Sequence, residues 1–301
     1  MPDTHALPPT HGRFDLRRVG IEGIRKPIHV LRAGRDIVLS TEFSVAVDLP
    51  ASRKGSDLSR NAEILAEITE RTSQHPVGSL EAACSQIARE LLVRHPSASE
   101  SQVVASAEYF LRQGITPERE SYEDFRLLAE SRASRVNGSV RIVRSIGAEG
   151  VGMTACPCAM ESCRELLVRE FPELAEPRWK DLPMISHNQR NRTRLELEAP
   201  EGVDIEADDL LAAIASAQSS PTFAILKRDE EAQVVLNAHR RPRFVEDVLR
   251  ELLAGLPARF PHLPDEVEVR AETVSEESIH KYDVRASHRT TLGELRRATA
   301  L

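Results

Sequence analysis

Phe125-Arg-Leu-Leu-Ala-Glu-Ser-Arg-Ala-Ser-Arg-Val136 and Val140-Arg-Ile-Val-Arg-Ser-Ile-Gly-Ala-Glu-Gly-Val-Gly-Met-Thr154 lie on either side of Asn137-Gly138. Asn-Gly most readily supplies the two positive φ angles of a two-residue turn, so the flanking runs read as the arms of a long antiparallel hairpin. Upstream, Phe43, Val45, Val47 and Leu49 alternate with Ser44, Ala46 and Asp48, the period-two pattern of a half-buried strand, and Pro50 ends it. Two helices follow, over 58–72 and 80–94, the second with Ser79 as its N-cap. Downstream the order repeats loosely: helix 159–170, strand 193–198, helix 207–217, short strand 222–226, helix 242–254 ending at Gly255, and strand 267–274. Long antiparallel strands with paired helices on one face give an α+β fold of two related modules rather than an alternating βαβ one. Neither GxGxxG nor GxxxxGK[ST] occurs, in keeping with that class. The expected organisation is an N-terminal extension (1–35), poorly ordered to about residue 25, a first module (36–150) and a second (151–301) carrying most of the functional site.

The 301 residues are 41% apolar and 29% charged, a globular balance that excludes collagen-like and disordered classes. No apolar run approaches the ~18 residues of a membrane helix, and the first residues have no apolar signal-peptide core, so a cytoplasmic protein is expected. With 47 acidic and 40 basic residues the net charge is −7, which gives no general attraction to nucleic acid or an anionic membrane. Any anionic ligand must be held by a local cluster. Three of the four cysteines, Cys156, Cys158 and Cys163, fall within eight positions, which argues for metal or thiol chemistry rather than a disulfide scaffold. Cys84 and Cys163 lie on apolar helical stripes and are read as core.

Five segments carry candidate chemistry. Cys156-Pro-Cys158 stands between a strand and a helix, where one thiol can bind metal while the other faces a substrate. Ser186-His-Asn-Gln-Arg190 can hold a metal through His187 and an anion through Arg190. Lys227-Arg228 leaves a strand where phosphates would meet it, and His239 beyond is either a metal ligand or an exposed helix-end residue. Glu277 and His280 are spaced to share a pocket, the carboxylate accepting from an amidine-like N–H pair while the imidazole moves protons. Arg53-Lys54-Gly55-Ser56 is a basic turn before a helix start, suited to an anion or to helix capping alone. A structural Cys₃His zinc site of Cys156, Cys158, Cys163 and His187, and a redox dithiol of Cys156 and Cys158, are the competing readings.

In this order the segments resemble the family of bacterial GTP cyclohydrolase IB and the archaeal-type GTP cyclohydrolases IV, over about residues 37–288. The resemblance implies a tunnelling fold (T-fold), a homotetramer with active sites between subunits, GTP as substrate, and a divalent metal, Fe(II) favoured over Zn(II) or Mn(II). By position it implies Cys156 and His187 as metal ligands and Cys158 as the second active-site thiol. It further implies Glu277 as the guanine-binding acid, His280 as a proton-transfer residue, and Lys227, Arg190 and Lys54 as triphosphate contacts. The implied reaction opens the guanine imidazole ring, releases formate and yields a 7,8-dihydroneopterin phosphate for pterin or folate biosynthesis. Pro221 replaces a Glu that helps bind metal in the bacterial pattern. His239 is the expected substitute, and with Ser186 it leans toward the archaeal pattern, whose product is a 2′,3′-cyclic phosphate rather than a triphosphate.

Overall fold

The computed structural model describes His5 and residues 14–32, 34–116 and 119–300. Two compact units emerge: residues up to Tyr109 with Arg126–Gly147 and Glu198–Asp204, and Phe110–Phe125 with Ala148–Leu197 and Ile205–Leu301.

The first unit holds strands β1 (Leu16–Arg32) and β2 (Arg35–Leu49) and parts of β3 (Glu100–Gln113), β4 (Ser121–Val136) and β5 (Ser139–Ala155), neighbours in that order. Helices α1 (Leu58–Gln74) and α2 (Leu80–Arg94) bury the odd-numbered face of β2, where Leu39, Phe43, Val45, Val47 and Leu49 are all buried. Ile64, Leu65 and Ile68 of α1 and Ile87, Leu91 and Leu92 of α2 complete this core, each burial contributing about 1.5–3 kcal/mol. Asn137 (φ 50°) and Gly138 (φ 80°) form the turn that their sequence predicts. Ser79 accepts the Ala82 N–H as the N-cap of α2.

The N-terminal expectation needs correction, because β1 starts at Leu16 and pairs with β2 along its length. As an edge strand it buries only Ile28 and Val30 and exposes Arg17, Arg18, Glu22 and Arg25, which reads as disorder but serves to blunt an edge. Strand β3 also escapes the sequence reading, since its buried face is Ser101, Val103, Ala105, Ala107 and Tyr109, mostly small residues with weak contrast.

In the second unit the order continues from β5 to β6 (Asn188–Pro200), β8 (Glu268–Ser275) and β9 (Val284–Thr291), while the two-residue β7 (Ser220–Pro221) also pairs with β5. After β5 comes α3 (Pro157–Glu170); α4 (Ala207–Ala217), α5 (Arg228–Arg240), α6 (Val245–Arg259) and α7 (Leu292–Thr299) follow in chain order. Leu210, Leu211 and Ile214 of α4, Val248, Leu252 and Leu256 of α6, and Leu195, Leu197 and Val269 of the sheet form the buried apolar layer. The antiparallel α+β architecture agrees with the expectation.

Three boundaries differ. The strand expected at 222–226 is not a strand; it is tethered by the Glu123 carboxylate, which accepts the Ala224 N–H at 2.9 and 3.1 Å. Helix α6 runs past Gly255 and contains Pro257. Helix α5, absent from the sequence reading, buries only Glu230, Val234 and Ala238 and so has little apolar periodicity; the Glu230 carboxylate accepts the Lys227 N–H at 2.8 Å to cap it.

Candidate active site

Strand β5 ends at Ala155, and Cys156 is the N-cap of α3 with Pro157 in the first turn, where a proline's missing N–H costs nothing. The Cys156 Sγ accepts the Ala159 N–H at 3.5 Å, at the helix end that favours negative charge. The Cys156 N–H donates to the His187 carbonyl at 3.3 Å, and the Ser186 hydroxyl donates to the Cys156 carbonyl at 2.7 Å. His187 stands just before β6, and Glu277 just after β8. The His187 Nδ1 lies 3.4 Å from the Ser278 Oγ and 3.8 Å from the Glu277 Oε2, with the two side chains only 12% and 10% exposed. The three strand ends thus pair an imidazole with a carboxylate and join Cys156 to His187 through the backbone.

The tandem glutamates separate cleanly. Glu276 ion-pairs with Arg192 at 3.2 Å, a contact that together with Glu149 raises the Arg192 pKa, and its N–H donates to the Arg190 carbonyl at 2.9 Å. Glu277 has no hydrogen bond to its carboxylate among the described residues, since 3.8 Å to His187 is too long for one. A nearly buried acceptor without a donor is suited to a ligand that brings N–H groups.

The remaining sequence-derived residues are more dispersed. Cys158 is exposed in the first turn of α3. Arg190 is exposed on β6, and Lys227 is exposed at the start of α5. His280 is exposed in the loop after β8 and stacks on Tyr282, ring centroids 5.0 Å apart and planes within 8°. His239 lies in the last turn of α5 with Nδ1 2.8 Å from the Val235 carbonyl, leaving Nε2 as its only open ring nitrogen. Lys54 is exposed and belongs to the first unit, its N–H donating to the His5 carbonyl at 3.2 Å. Cys84 is fully buried, which pushes its thiol pKa up, as expected of a core residue. Cys163 is not core: α3 has no buried residue at all.

A thiol and an imidazole are donors that suit Fe(II) or Zn(II). Among the described residues no three Cys, His, Asp or Glu side chains gather into a metal-binding set, so neither His239 with Cys156 and His187 nor the Cys₃His alternative is assembled. The run Pro242-Arg-Phe-Val-Glu-Asp247, at the start of the predicted helix 242–254, is architectural. Asp247 accepts the Phe244 N–H at 3.0 Å to cap α6, while the Arg243 N–H holds the Ala155 carbonyl at 3.0 Å, beside Cys156. Ser186 and Ser278, which sequence reasoning gave no such role, frame the site, and each adjoins a predicted site residue in the chain; Tyr282, two residues past His280, stacks on its ring.

The fold is that of the tunnelling-fold proteins. A uricase from Bacillus fastidious superposes with a TM-score of 0.54 at 11% identity, over 95% of this chain and 97% of that one. The model of the type I GTP cyclohydrolase folE2 family matches residues 1–286, and the chain belongs to that family. GTP cyclohydrolase MptA of Methanothermobacter thermautotrophicus is 36% identical over 288 residues, 93% of this chain and 91% of the relative. GTP cyclohydrolase MptA of Methanosarcina mazei is 37% identical over 308 residues, 99% and 96% of the two chains. The chain is a GTP cyclohydrolase.

Proposed function

We propose that this enzyme hydrolyses the imidazole portion of the GTP guanine at the strand-end cluster of Cys156, His187 and Glu277. The observation that carries the proposal is the nearly buried Glu277 carboxylate, which has no hydrogen-bond donor among the described residues and lies beside His187, itself joined to Cys156 through the backbone. The Glu277 carboxylate receives the guanine N1–H and 2-amino N–H; adenine lacks that donor pair, so the same carboxylate selects against ATP. Cys156 and His187 would hold a divalent cation, Fe(II) by preference with Zn(II) or Mn(II) as alternatives. When bound, that ion supplies a water acidic enough to react near neutral pH. His239, anchored to its own helix, is left out of the ligand set.

Addition of water at C8 and cleavage of the C8–N9 bond leave a formamide on N7; a second water releases formate and leaves a diamine. The diamine rearranges through its ribose to the dihydropterin. His280 delivers the proton that the departing ring nitrogen needs, and Cys158 lies within the same helix turn as Cys156 to face the reacting base. Lys227 and Arg190 meet the triphosphate as exposed cations.

Pro221 offers no metal donor and is committed to the β7 pairing with Gly152, while Ser186 braces Cys156. The resemblance at Ser186 and His239 leans toward the 2′,3′-cyclic phosphate product over the triphosphate. We assign the enzyme to the cytoplasm, in keeping with four free cysteines. No helix among the described residues is long and apolar enough to cross a membrane. Helix α3 and the segment after it expose Leu166, Phe171, Leu182 and Ile185, the last at 67%, an apolar surface that fits a second copy of this chain in a homo-oligomer, a tetramer in our reading.

Anaerobic incubation with GTP and Fe(II), Mn(II) or Zn(II), with products separated by mass, tests the proposal. A cyclic phosphate with formate is the expected result. A triphosphate product would overturn the product assignment, and absence of formate with every metal would overturn the reaction.

A further inference from the structure

Four polar side chains are packed together where an apolar core would be expected. Asn191 on β6 donates through Nδ2 to the Thr273 Oγ1 of β8 at 2.7 Å and to the Gln218 Oε1, just past α4, at 3.0 Å. The Gln218 Nε2 donates to the Thr193 Oγ1 at 2.9 Å, and the Thr193 and Thr273 hydroxyls are 2.9 Å apart. Asn191, Thr193 and Thr273 are wholly buried, and Gln218 is 1% exposed. The Gln218 side chain lies across Gly152 of β5 so closely that a Cβ there would fall 2.3 Å from its Cγ.

The location of this node follows the strand period. Gly152, Asn191 and Thr273 are each four residues from Cys156, His187 and Glu277 respectively. On the sheet face of the node the strand residues nearest the site are Thr154, Gln189 and Ser275, each two residues from its site residue, which lies just beyond the strand end. Farther from the site the same face is apolar: Leu195 and Leu197 on β6, Val269 and Ala271 on β8. Toward the site it stays polar, with Thr154 and Gln189 buried and the Thr154 Oγ1 and Gln189 Oε1 without a partner among the described residues. Burying polar groups costs stability relative to apolar packing, whereas a connected set of them admits one arrangement of the strands that carry it. A one-residue slip of β6 or β8 would turn the node residues to the other face and shift His187 or Glu277 along the sheet edge by one residue.

We infer that the Asn191–Thr193–Gln218–Thr273 node positions the active site: it locks the mutual register of β5, β6 and β8 and so sets the spacing of Cys156, His187 and Glu277. Its members are positioning residues that touch no reacting atom. The inference rests on the site reading given above.

The test compares Thr273→Val, which removes one hydroxyl at constant shape, with Thr273→Ser, which keeps it, and uses Thr193→Val as a second, independent break. Thermal unfolding, Mn(II) affinity by chelator competition, GTP affinity of the metal-free protein and kcat are measured on each folded variant. The expected result is a loss of roughly 10-fold or more in both kcat and Mn(II) affinity for the two Val variants, with recovery in Thr273→Ser. Val variants that melt earlier but keep kcat and Mn(II) affinity per folded molecule would overturn the inference, reducing the node to a structural one. His187→Ala separates the two levels. Full turnover in that variant would sink the site reading itself, whereas an inactive His187→Ala beside fully active Val variants would sink the positioning role alone.

Discussion

Glu277→Gln removes half of the proposed guanine recognition while changing almost no volume. The wild-type carboxylate is 10% exposed and accepts no hydrogen bond among the described residues, so the substitution breaks no internal contact and stability should change little. In the complex, two charge-assisted bonds at about 1.5–3 kcal/mol each are at stake. Glutamine keeps one acceptor oxygen and turns an N–H toward a guanine N–H, so one bond is lost and the other loses its charge. The expected sum is about 3–4 kcal/mol, or roughly 100- to 1,000-fold in kcat/KM for GTP. Formate release at varied GTP concentration gives kcat/KM, and chelator competition gives Mn(II) affinity on the same sample. Unchanged kcat/KM, or an equal fall in GTP and Mn(II) affinity, would refute the assignment of Glu277 to the base.

Cys163→Ala should retain bound metal and turnover, because Cys163 joins no donor set; metal loss measured by elemental analysis would revive the structural zinc site. Glu81 is 2% exposed, and burial pushes its carboxyl pKa up. The folded chain therefore holds this proton at a pH where the unfolded chain has released it, and stability from this group falls as pH rises above the ordinary carboxylate range. Glu81→Gln should raise the melting temperature at pH 8 and lose that advantage toward pH 4, and a pH-independent difference would contradict the reasoning. Leu195 is fully buried in the second unit, so Leu195→Ala should cost about 2–5 kcal/mol in urea unfolding, and a loss under 1 kcal/mol would mean that this layer is not tightly packed.

The hairpin at Asn137-Gly138 could be read from sequence because turn chemistry and hydrophobic alternation are both local. Strand β1 could not, since its outward Arg and Glu side chains and single buried stretch at Ile28 and Val30 report an edge rather than a core. Helix α5 was hidden for a related reason: its stability comes from the buried Glu230, which caps the helix and pairs with Arg119 at 2.8 Å, not from an apolar stripe. At the site, residue types and spacing singled out Cys156, His187 and Glu277. Which of the two adjacent glutamates is uncommitted depends on Arg192, a pairing between strands that spacing does not encode. Cys163 looked buried because Met160 and Leu167 share its helical face, yet that face is only half-buried among the described residues. The polar node beneath the site spans β6, β8 and the end of α4, and no local pattern announces such a long-range set.

The most direct test of the account is formate release from GTP by the wild-type enzyme and by Cys156→Ala and His187→Ala, measured anaerobically with added Mn(II) and alongside circular dichroism. The account predicts one formate per GTP from the wild type, none above background from either variant, and native spectra for all three. Wild-type turnover in both variants, folded and supplied with the same metal, would contradict it.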